Sequence, residues 1–235
     1  MTLTVTVIIP ALNEAGNIAD LVAAVLAQPV DQVIVVDNGS TDDTAPRAGA
    51  AGALVVTEPR RGYGYACAAG VARASGDILV FLDGDFSFAP AEMPRLIEPI
   101  LRGEAELVLG SRTRGIILPG AMPPHQRFGN RLTAWLMGLL YGVAVTDLGP
   151  YRAVRRELLL SLGMAEMTYG WPTEMMVKAA RRHAAIVEVP VSYAPRRAGK
   201  SKVSGTLRGS LLAGWYILGV TLRYAFAHSA AQKSA

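Results

Sequence analysis

Apolar and polar positions along the first hundred residues repeat in a strand–helix order. Short apolar runs typical of buried strands cover residues 3–9, 33–36, 53–56, 78–82 and 107–109. Between the first two runs, residues 14–27 place Ile18, Leu21, Val22, Val25 and Leu26 at helical spacing. An alanine-rich helix is predicted over residues 63–74. Strands that alternate with helices predict an α/β fold, with a mostly parallel sheet covered by helices on both faces.

The pattern becomes less regular after Gly110. A loop rich in proline and glycine at 115–124 precedes a predicted helix at 128–141 and a strand-like piece at 147–151. Helices are expected near Arg155 and Trp171, and a strand over 185–193. A basic segment at 195–205 leads to a predicted final helix at 206–227. Earlier in the chain, Ser40 or Thr41 is predicted to cap the second helix.

Charge and cysteine content narrow the class of protein. The chain has 235 residues and a net charge of +4, with basic residues clustered at 152–156 and 196–208. Such clusters suit phosphates or an anionic membrane surface, and no nucleic-acid-binding module is visible. The single cysteine excludes an internal disulfide and fits a cytoplasmic location. No signal peptide is expected, and the apolar stretch at 209–222 is shorter than the ~20 residues of a membrane span.

Two aspartates at the end of the fourth strand are the main candidates for chemistry. Asp83 and Asp85 flank Gly84, which we expect to turn the backbone so that both carboxylates face one ligand. Parallel sheets bind ligands at this edge, and two acids so close favour a divalent cation between them. The pair therefore predicts a Mg²⁺ or Mn²⁺ site that holds a phosphate, against the alternative of a solvated turn.

Several motifs together resemble a known enzyme family. They are VIIPALNE at 7–14, VVDNGSTDDT at 35–44, RGYGYACAAGVARASGDILVFLDGD at 61–85 and LVLGSR at 107–112. In this order they are similar to family 2 glycosyltransferases, which use nucleotide sugars and have the GT-A fold. The pieces TDLGPYRAVRREL at 146–158, YGWPTEM at 169–175 and RRAGKSKVSGTLRGS at 196–210 resemble its polyprenyl-phosphate sugar synthase branch.

The resemblance implies an activity and an organisation. It implies a metal-dependent, inverting transfer of a hexose from a UDP- or GDP-sugar to a polyprenyl phosphate. A GT-A domain would span residues 1–205, with the nucleotide-sugar part at 1–112 and the acceptor part at 113–205. Residues 206–235 would form a C-terminal interfacial helix and tail. This helix would contact the cytoplasmic face of a membrane, pack on the sheet, or join two subunits as a homodimer.

Donor-binding roles follow from the same resemblance. Residues expected to bind the nucleotide sugar are Pro10, Leu12, Glu14, Asp37, Asp83, Arg112, Arg196 and Lys200. Asp83 and Asp85 would hold the metal, whereas Ser87 stands where the branch often has a glutamine ligand. Three of these roles have a structural alternative. Glu14 suits a helix N-terminus, Asp37 a turn, and Arg112 a surface cation.

The basic loop and the acceptor side leave more open. Arg196, Lys200, Ser201 and Lys202 resemble a pattern of the branch that closes over phosphates, with Lys202 acting in catalysis; the alternative is a solvated charged face. A phosphate acceptor is already anionic at pH 7 and needs no strong base. A hydroxyl acceptor would need one, with Asp147 or Glu174 as candidates. Otherwise Asp147 would order a loop by pairing with Arg152 or Arg155, and Glu174 would begin a helix.

A last alternative is a protein that binds nucleotide sugars or docks on membranes without catalysis. The presence of Asp83, Asp85 and Arg112 together argues against it.

Overall fold

One seven-stranded sheet organises the chain. The computed structural model describes residues 3–199 and 214–225. Their strands are β1 (Val5–Ala11), β2 (Gln32–Asp37), β3 (Leu54–Thr57), β4 (Ile78–Phe81), β5 (Leu107–Ser111), β6 (Arg152–Arg155) and β7 (Ile186–Pro190). The helices are α1 (Ile18–Leu26), α2 (Thr44–Ala50), α3 (Tyr63–Arg73), α4 (Met93–Leu101), α5 (Pro124–Tyr141), α6 (Arg156–Ser161) and α7 (Trp171–Arg181). Residues 214–225 are also helical and are called α8.

The strand order places a crevice between β1 and β4. The order is β3-β2-β1-β4-β6-β5-β7, and β6 alone of these strands runs antiparallel to its neighbours. From β1 the chain winds outward through β2 and β3, and then returns to β4 on the other side of β1. Open α/β sheets bind ligands at such a reversal point. Pairing between β1 and β4 ends at Ile8 and Phe81, and Pro10 has no N–H to extend it.

Two apolar layers cover the sheet, as the sequence pattern predicts. The helices α1, α2 and α4 share one buried cluster with the sheet residues Val7, Ile9 and Val35. The helices α3, α5, α6 and α7 share the other, which includes Ile8 and Phe81. Alternate residues of β1 therefore face opposite layers, as the period of a strand requires. This is the mostly parallel sheet with helices on both faces that we expected.

Several local predictions were wrong. Residues 147–151 form a loop, because the N–H groups of Asp147 and Leu148 bond to the side chains of Glu188 and Asn130 and not to a strand. Leu26 is 45% exposed because it lies at the end of α1, off the buried face. In the second helix, neither Ser40 nor Thr41 is the cap, since α2 begins only at Thr44.

The turn after β4 also differs from expectation. The left-handed residue there is Phe86, with φ 61°, and not Gly84. A Cβ on Gly84 would lie 3.3 Å from the carbonyl oxygen of Pro10. The glycine therefore allows two chain segments to approach each other closely, and the change of direction comes two residues later.

The C-terminal half completes the sheet, since β6 lies between β4 and β5. The division into parts at residue 112 and the boundary at 205 remain predictions. The helix α8 packs on its own chain, with Val220 and Thr221 buried and the Tyr141 hydroxyl bonded to the Thr221 carbonyl. The predicted start of the last helix, residues 206–213, lies outside the described residues.

Candidate functional site

The two aspartates after β4 lie at the crevice between β1 and β4. The Tyr63 hydroxyl donates to Asp83 Oδ1 over 3.3 Å. Burial, and next the negative charge of Asp85, raise the pKa of Asp83 to about 7. Asp85 Oδ1 accepts the Ser87 N–H at 3.0 Å, and its side chain is partly exposed to the crevice. A pair of carboxylates in this state is stabilised by a nearby cation.

The basic segment supplies such a cation from the far end of the chain. Arg196 Nη2 lies 2.7 Å from Glu14 Oε1 and 3.4 Å from Asp85 Oδ2. The segment 194–199, which we call the strap, is fixed by further bonds. Asn17 donates to the Ala198 carbonyl, and the Arg197 N–H donates to the Asp85 carbonyl. The strap therefore crosses the crevice beside both acids.

Arg196 also has unused hydrogen-bonding capacity. Its Nε and Nη1 are buried and have no hydrogen-bond partner within the described ranges. Buried donors of this kind are costly unless a ligand satisfies them. An anionic group in the crevice would do so.

Arg112 and Asp147 form a buried ion pair at the end of β5. Asp147 Oδ1 accepts Arg112 Nη2 at 2.7 Å, and Oδ2 accepts Nε at 2.8 Å and the backbone N–H at 2.6 Å. Asp147 is fully buried, whereas Arg112 lines the cleft and stacks over the Tyr193 ring at 5.0 Å. The sequence prediction that Asp147 pairs with Arg152 or Arg155 is wrong.

Those two arginines bond elsewhere. Arg152 donates to the Pro172 carbonyl at 2.7 Å, and Arg155 donates to the Ile100 carbonyl at 3.1 Å. Burial lowers the pKa of Arg152 to about 10. Asp147 therefore pairs with Arg112, which faces the cleft.

Glu174 is buried in α7 and faces away from the cleft. Its carboxylate accepts the N–H groups of Ala165 and Glu166 and the hydroxyl of Tyr224, and it pairs with Lys178 at 2.9 Å. Burial alone would raise the pKa of Glu174, but hydrogen bonds from Tyr224, Glu166, Lys178 and Ala165 bring the net pKa below its usual value. This environment suits a structural carboxylate and contradicts the predicted role of Glu174 as a base.

One cleft of about 750 Å³ joins the charged crevice to an apolar region. Of the residues predicted to bind donor or metal, Pro10, Leu12, Glu14, Asp83, Asp85, Arg112 and Arg196 line it. Asp37 does not. Its Oδ1 accepts the Ser40 N–H at 3.1 Å, and its role in binding remains a prediction. Lys200 and Lys202 lie outside the described residues.

The structure adds residues that the sequence analysis missed. Asn38, Arg61 and Tyr63 line the charged end, and Tyr193 lies beneath Arg112. Asn38 follows the predicted Asp37, and Tyr63 lies inside the Gly-Tyr-Gly fragment at 62–64. Their position next to the motifs was the available signal. A hydrogen bond connects the two segments, since the Gly62 N–H donates to Asn38 Oδ1 at 3.0 Å.

The apolar end of the cleft lies between α5 and α8. Its apolar walls are Met122, Leu132, Leu148, Pro172, Ile217 and Leu218, and α5 also lines the cleft with the polar His125, Gln126, Asn130 and Thr133. No helix in residues 3–199 and 214–225 has the length and apolar character needed to cross a bilayer.

The carboxylates fit the predicted divalent cation. Mg²⁺ and Mn²⁺ prefer oxygen ligands, and Mg²⁺ is commonly held by one or two carboxylates together with substrate phosphates and water. Asp83 and Asp85 supply such oxygens at the crevice. No group of three or more potential metal ligands occurs in the part of the chain that the structure describes. Ser87, at the position where the related branch often has a glutamine ligand, is buried and donates its N–H to Asp85.

Comparisons with known proteins agree with this geometry. The model of the family described as Glycosyl transferase family 2 matches residues 6–163. An uncharacterized glycosyltransferase of Mycobacterium tuberculosis is 42% identical over 211 residues, which cover 89% of this chain and 94% of the relative. An undecaprenyl-phosphate mannosyltransferase of Micrococcus luteus is 31% identical over 224 residues, covering 87% and 89%.

A solved structure shares the fold. It is glucosyl-3-phosphoglycerate synthase from Mycobacterium tuberculosis, in complex with Mn²⁺, UDP and glucosyl-3-phosphoglycerate. The TM-score is 0.77 at 29% identity, and the match covers 95% of this chain and 80% of that structure. The predicted GT-A fold is confirmed by this likeness. The family model matches more than half of the residues of this chain. The chain therefore belongs to the family 2 glycosyltransferases.

Proposed function

We propose that this glycosyltransferase moves a hexose from a UDP- or GDP-sugar to a polyprenyl phosphate in a metal-dependent reaction. The observation that carries the proposal is one continuous cleft, which runs from three carboxylates and three arginines to an apolar end between α5 and α8. A phosphate at the charged end and an isoprenoid chain at the apolar end would match both chemistries. The similarity to an undecaprenyl-phosphate mannosyltransferase supports the same acceptor class.

On the donor side, the acids and arginines would divide the work. Asp83 and Asp85 would hold Mg²⁺ or Mn²⁺, which neutralises a diphosphate and makes it a better leaving group. Arg112 and Arg196 face the same space and can bind phosphate oxygens through charge-assisted hydrogen bonds. Pro10, Leu12 and Glu14 would contact the nucleoside. Lys200 and Lys202 remain candidates for binding the phosphates.

On the acceptor side, no general base is required. The acids that line the described cleft are Glu14, Asp83 and Asp85, all at its charged end. A phosphate monoester is anionic at pH 7, and its oxygen can attack the sugar once it is positioned. Direct displacement in one step inverts the anomeric carbon. Asp147 then acts by holding Arg112, and Glu174 acts only in the fold.

A second candidate is transfer to a hydroxyl group of a small phosphorylated acid. The observation that favours it is the likeness to glucosyl-3-phosphoglycerate synthase across 95% of this chain. Arg112 would then bind the acceptor phosphate and not the nucleotide. The apolar end of the cleft would have no partner in this reaction, which is why we place it second.

An acceptor panel tests the proposal. The protein is supplied with Mn²⁺ and UDP- or GDP-hexoses, and with a short-chain polyprenyl phosphate, the corresponding polyprenol or 3-phosphoglycerate. We expect product with the polyprenyl phosphate, and none with the polyprenol or with 3-phosphoglycerate. Product with 3-phosphoglycerate alone would establish the second candidate in its place.

An Asp85→Asn variant tests the metal assignment. We expect it to lower kcat by about 100-fold or more, because charge stabilisation at the leaving group is lost. It should also lose the rise in melting temperature that Mn²⁺ and nucleotide together give the wild type. Glu157→Gln, an exposed carboxylate on α6, is the control and should keep both. Unchanged Mn²⁺-dependent nucleotide binding in Asp85→Asn would refute the assignment.

A further inference from the structure

We propose that α5 and α8 form a docking surface for an anionic lipid bilayer, with the apolar end of the cleft opening onto the membrane. This surface is defined by Phe128, Trp135 and Leu139 of α5 and by Trp215 and Leu222 of α8. It deepens the proposed function, and rests on it for the lipid nature of the acceptor. A membrane-resident acceptor must enter the cleft from the side that faces the bilayer.

The first support is the exposure of large apolar side chains on one face of each helix. In α5, Phe128, Trp135 and Leu139 are 70%, 62% and 64% exposed, and their spacing of seven and four residues places them on one stripe. In α8, Trp215 and Leu222 are 77% and 40% exposed, again seven residues apart. Aromatic side chains of this kind are favoured at the interface between lipid and water.

The second support is that both stripes adjoin the rim of the cleft. Leu132 lines the cleft and lies four residues after Phe128 and three before Trp135. Leu218 lines it from α8, three residues after Trp215 and four before Leu222. Residues three or four apart on a helix are neighbours on its surface. The exposed side chains thus continue the apolar wall of the cleft outward.

The third support is the distribution of charge along the chain. Residues 107–146 and 189–235, the two segments that contain α5 and α8, carry 11 of the 23 lysines and arginines and none of the 19 acids. Their net charge is +11, and that of the remaining chain is −7. Not all of these cations lie on the docking surface, since Arg112 and Arg196 pair with acids at the cleft. On the two helices themselves, Arg127, Arg131 and Arg223 are exposed, and neither α5 nor α8 contains an acid. Arg223 lies 3.7 Å from Glu166. Exposed cations among aromatic residues complement an anionic bilayer.

The same charges argue against a second copy of the chain as the occupant. An isologous contact would bring two positively charged faces together, and like charges repel. An anionic surface would instead gain from every cation near it. The bilayer is therefore the partner that both the apolar and the charged residues favour.

Vesicle binding by the full chain tests this surface. Binding is measured by co-sedimentation with vesicles of phosphatidylglycerol and phosphatidylcholine, and with phosphatidylcholine alone. We expect binding to the anionic vesicles that weakens as salt is added. The double variant F128S/W135S should bind at least about tenfold more weakly, because two apolar side chains are lost from the interface. Leu160→Ser removes a 54% exposed leucine from α6 and should bind like the wild type.

Tryptophan fluorescence gives an independent readout. The chain has three tryptophans, of which Trp171 is buried and Trp135 and Trp215 are exposed. Lipids brominated in their acyl chains should quench the wild type on binding. The variant W135F/W215F keeps only Trp171 and should show little quenching.

Three outcomes would overturn the proposal. They are absence of vesicle binding by the wild type, equal binding by F128S/W135S, or a dimer in sedimentation equilibrium that this variant abolishes. The proposed function is tested separately with a short-chain polyprenyl phosphate in detergent, where F128S/W135S should keep its turnover. If the wild type binds vesicles but transfers no sugar to that acceptor, the docking surface stands and the proposed acceptor fails.

Discussion

At the scale of single residues, the pairing of Asp147 with Arg112 changes the role expected of the acid. Three hydrogen bonds of 2.6 to 2.8 Å tie this fully buried carboxylate to Arg112. A base must reach the proton that it removes, whereas Asp147 is already occupied. The geometry therefore fits a carboxylate that positions and orients a cation at the cleft, and we propose this role for Asp147.

We expect Asp147→Asn to lower kcat/KM by about 100-fold, because Arg112 loses its position. The unfolding free energy should fall by roughly 3 kcal/mol, since one charge of a buried pair is left without its partner. The shape of the pH–rate profile should be unchanged. Loss of its acidic limb would instead show that Asp147 is a base. Asp77→Asn changes an acid at the opposite edge of the sheet and should leave kcat/KM near that of the wild type.

At the scale of elements, α3 lies unusually close to the loop before α7. The N–H groups of Gly64 and Tyr65 both donate to the Met167 carbonyl. A Cβ on Gly64 would lie 2.4 Å from the Glu166 carbonyl oxygen and 2.5 Å from the Met167 Cα. The contact fixes the N-terminus of α3, where Tyr63 meets Asp83.

Gly64→Ala should therefore move α3 away from the loop and weaken nucleotide binding, with an unfolding free energy lower by about 1–3 kcal/mol. Calorimetric titration with nucleotide and chemical denaturation measure the two effects. Gly138→Ala in α5 is the matched control. Its Cβ would be 3.9 Å from the nearest atom, so it should stabilise the protein by up to about 1 kcal/mol. Equal behaviour of both variants would contradict this account.

Elements could be predicted where neighbouring residues carry the pattern, and not where contacts distant in sequence decide the structure. Continuous apolar runs identified β1, β2 and β4, because strands buried on both faces need such runs. The strand β6 reads Arg-Ala-Val-Arg, and nothing in four residues reveals that it enters antiparallel between β4 and β5. The pattern at 147–151 predicts a strand, because it does not reveal the side-chain partners Glu188 and Asn130, which lie elsewhere in the chain.

At the scale of the whole molecule, Glu174 connects three segments. It joins α7 to the backbone at residues 165–166 and, through Tyr224, to α8. Its net pKa is lowered in the folded state, so the ionised form is favoured by folding. This contribution to stability is complete above the pKa that a glutamate has when unfolded, and it is lost as pH falls through the lowered folded pKa.

We therefore expect the unfolding free energy of the wild type to fall on acidification across that range more steeply than that of Glu174→Gln. At neutral pH, Tyr224→Phe should cost about 1.5–3 kcal/mol, since it removes a hydrogen bond to a charged group. Tyr216→Phe removes a hydroxyl from the same helix and serves as the control. Denaturant titrations at several pH values measure the unfolding free energy of the wild type and of the three variants. Parallel pH curves for wild type and Glu174→Gln would count against the stabilising role of the ionised Glu174.

The site as a whole could be predicted only in part. The acids and Arg112 stand at strand ends, where topology alone brings them together. The contact of Arg196 with Glu14 joins residues 182 positions apart, and no pattern in either neighbourhood specifies it. Whether a basic loop folds over the crevice or away from it depends on tertiary packing.

That contact has a kinetic meaning. Arg196 already lies between Glu14 and Asp85, so the crevice has a tethered counterion before any ligand arrives. In the proposed reaction, loading of the enzyme would be an exchange of cations, in which the incoming ion and diphosphate compete with the guanidinium for the acids. The tether would keep the arginine at a high local concentration while they are bound. Its return to the carboxylates after transfer would favour release of the nucleotide.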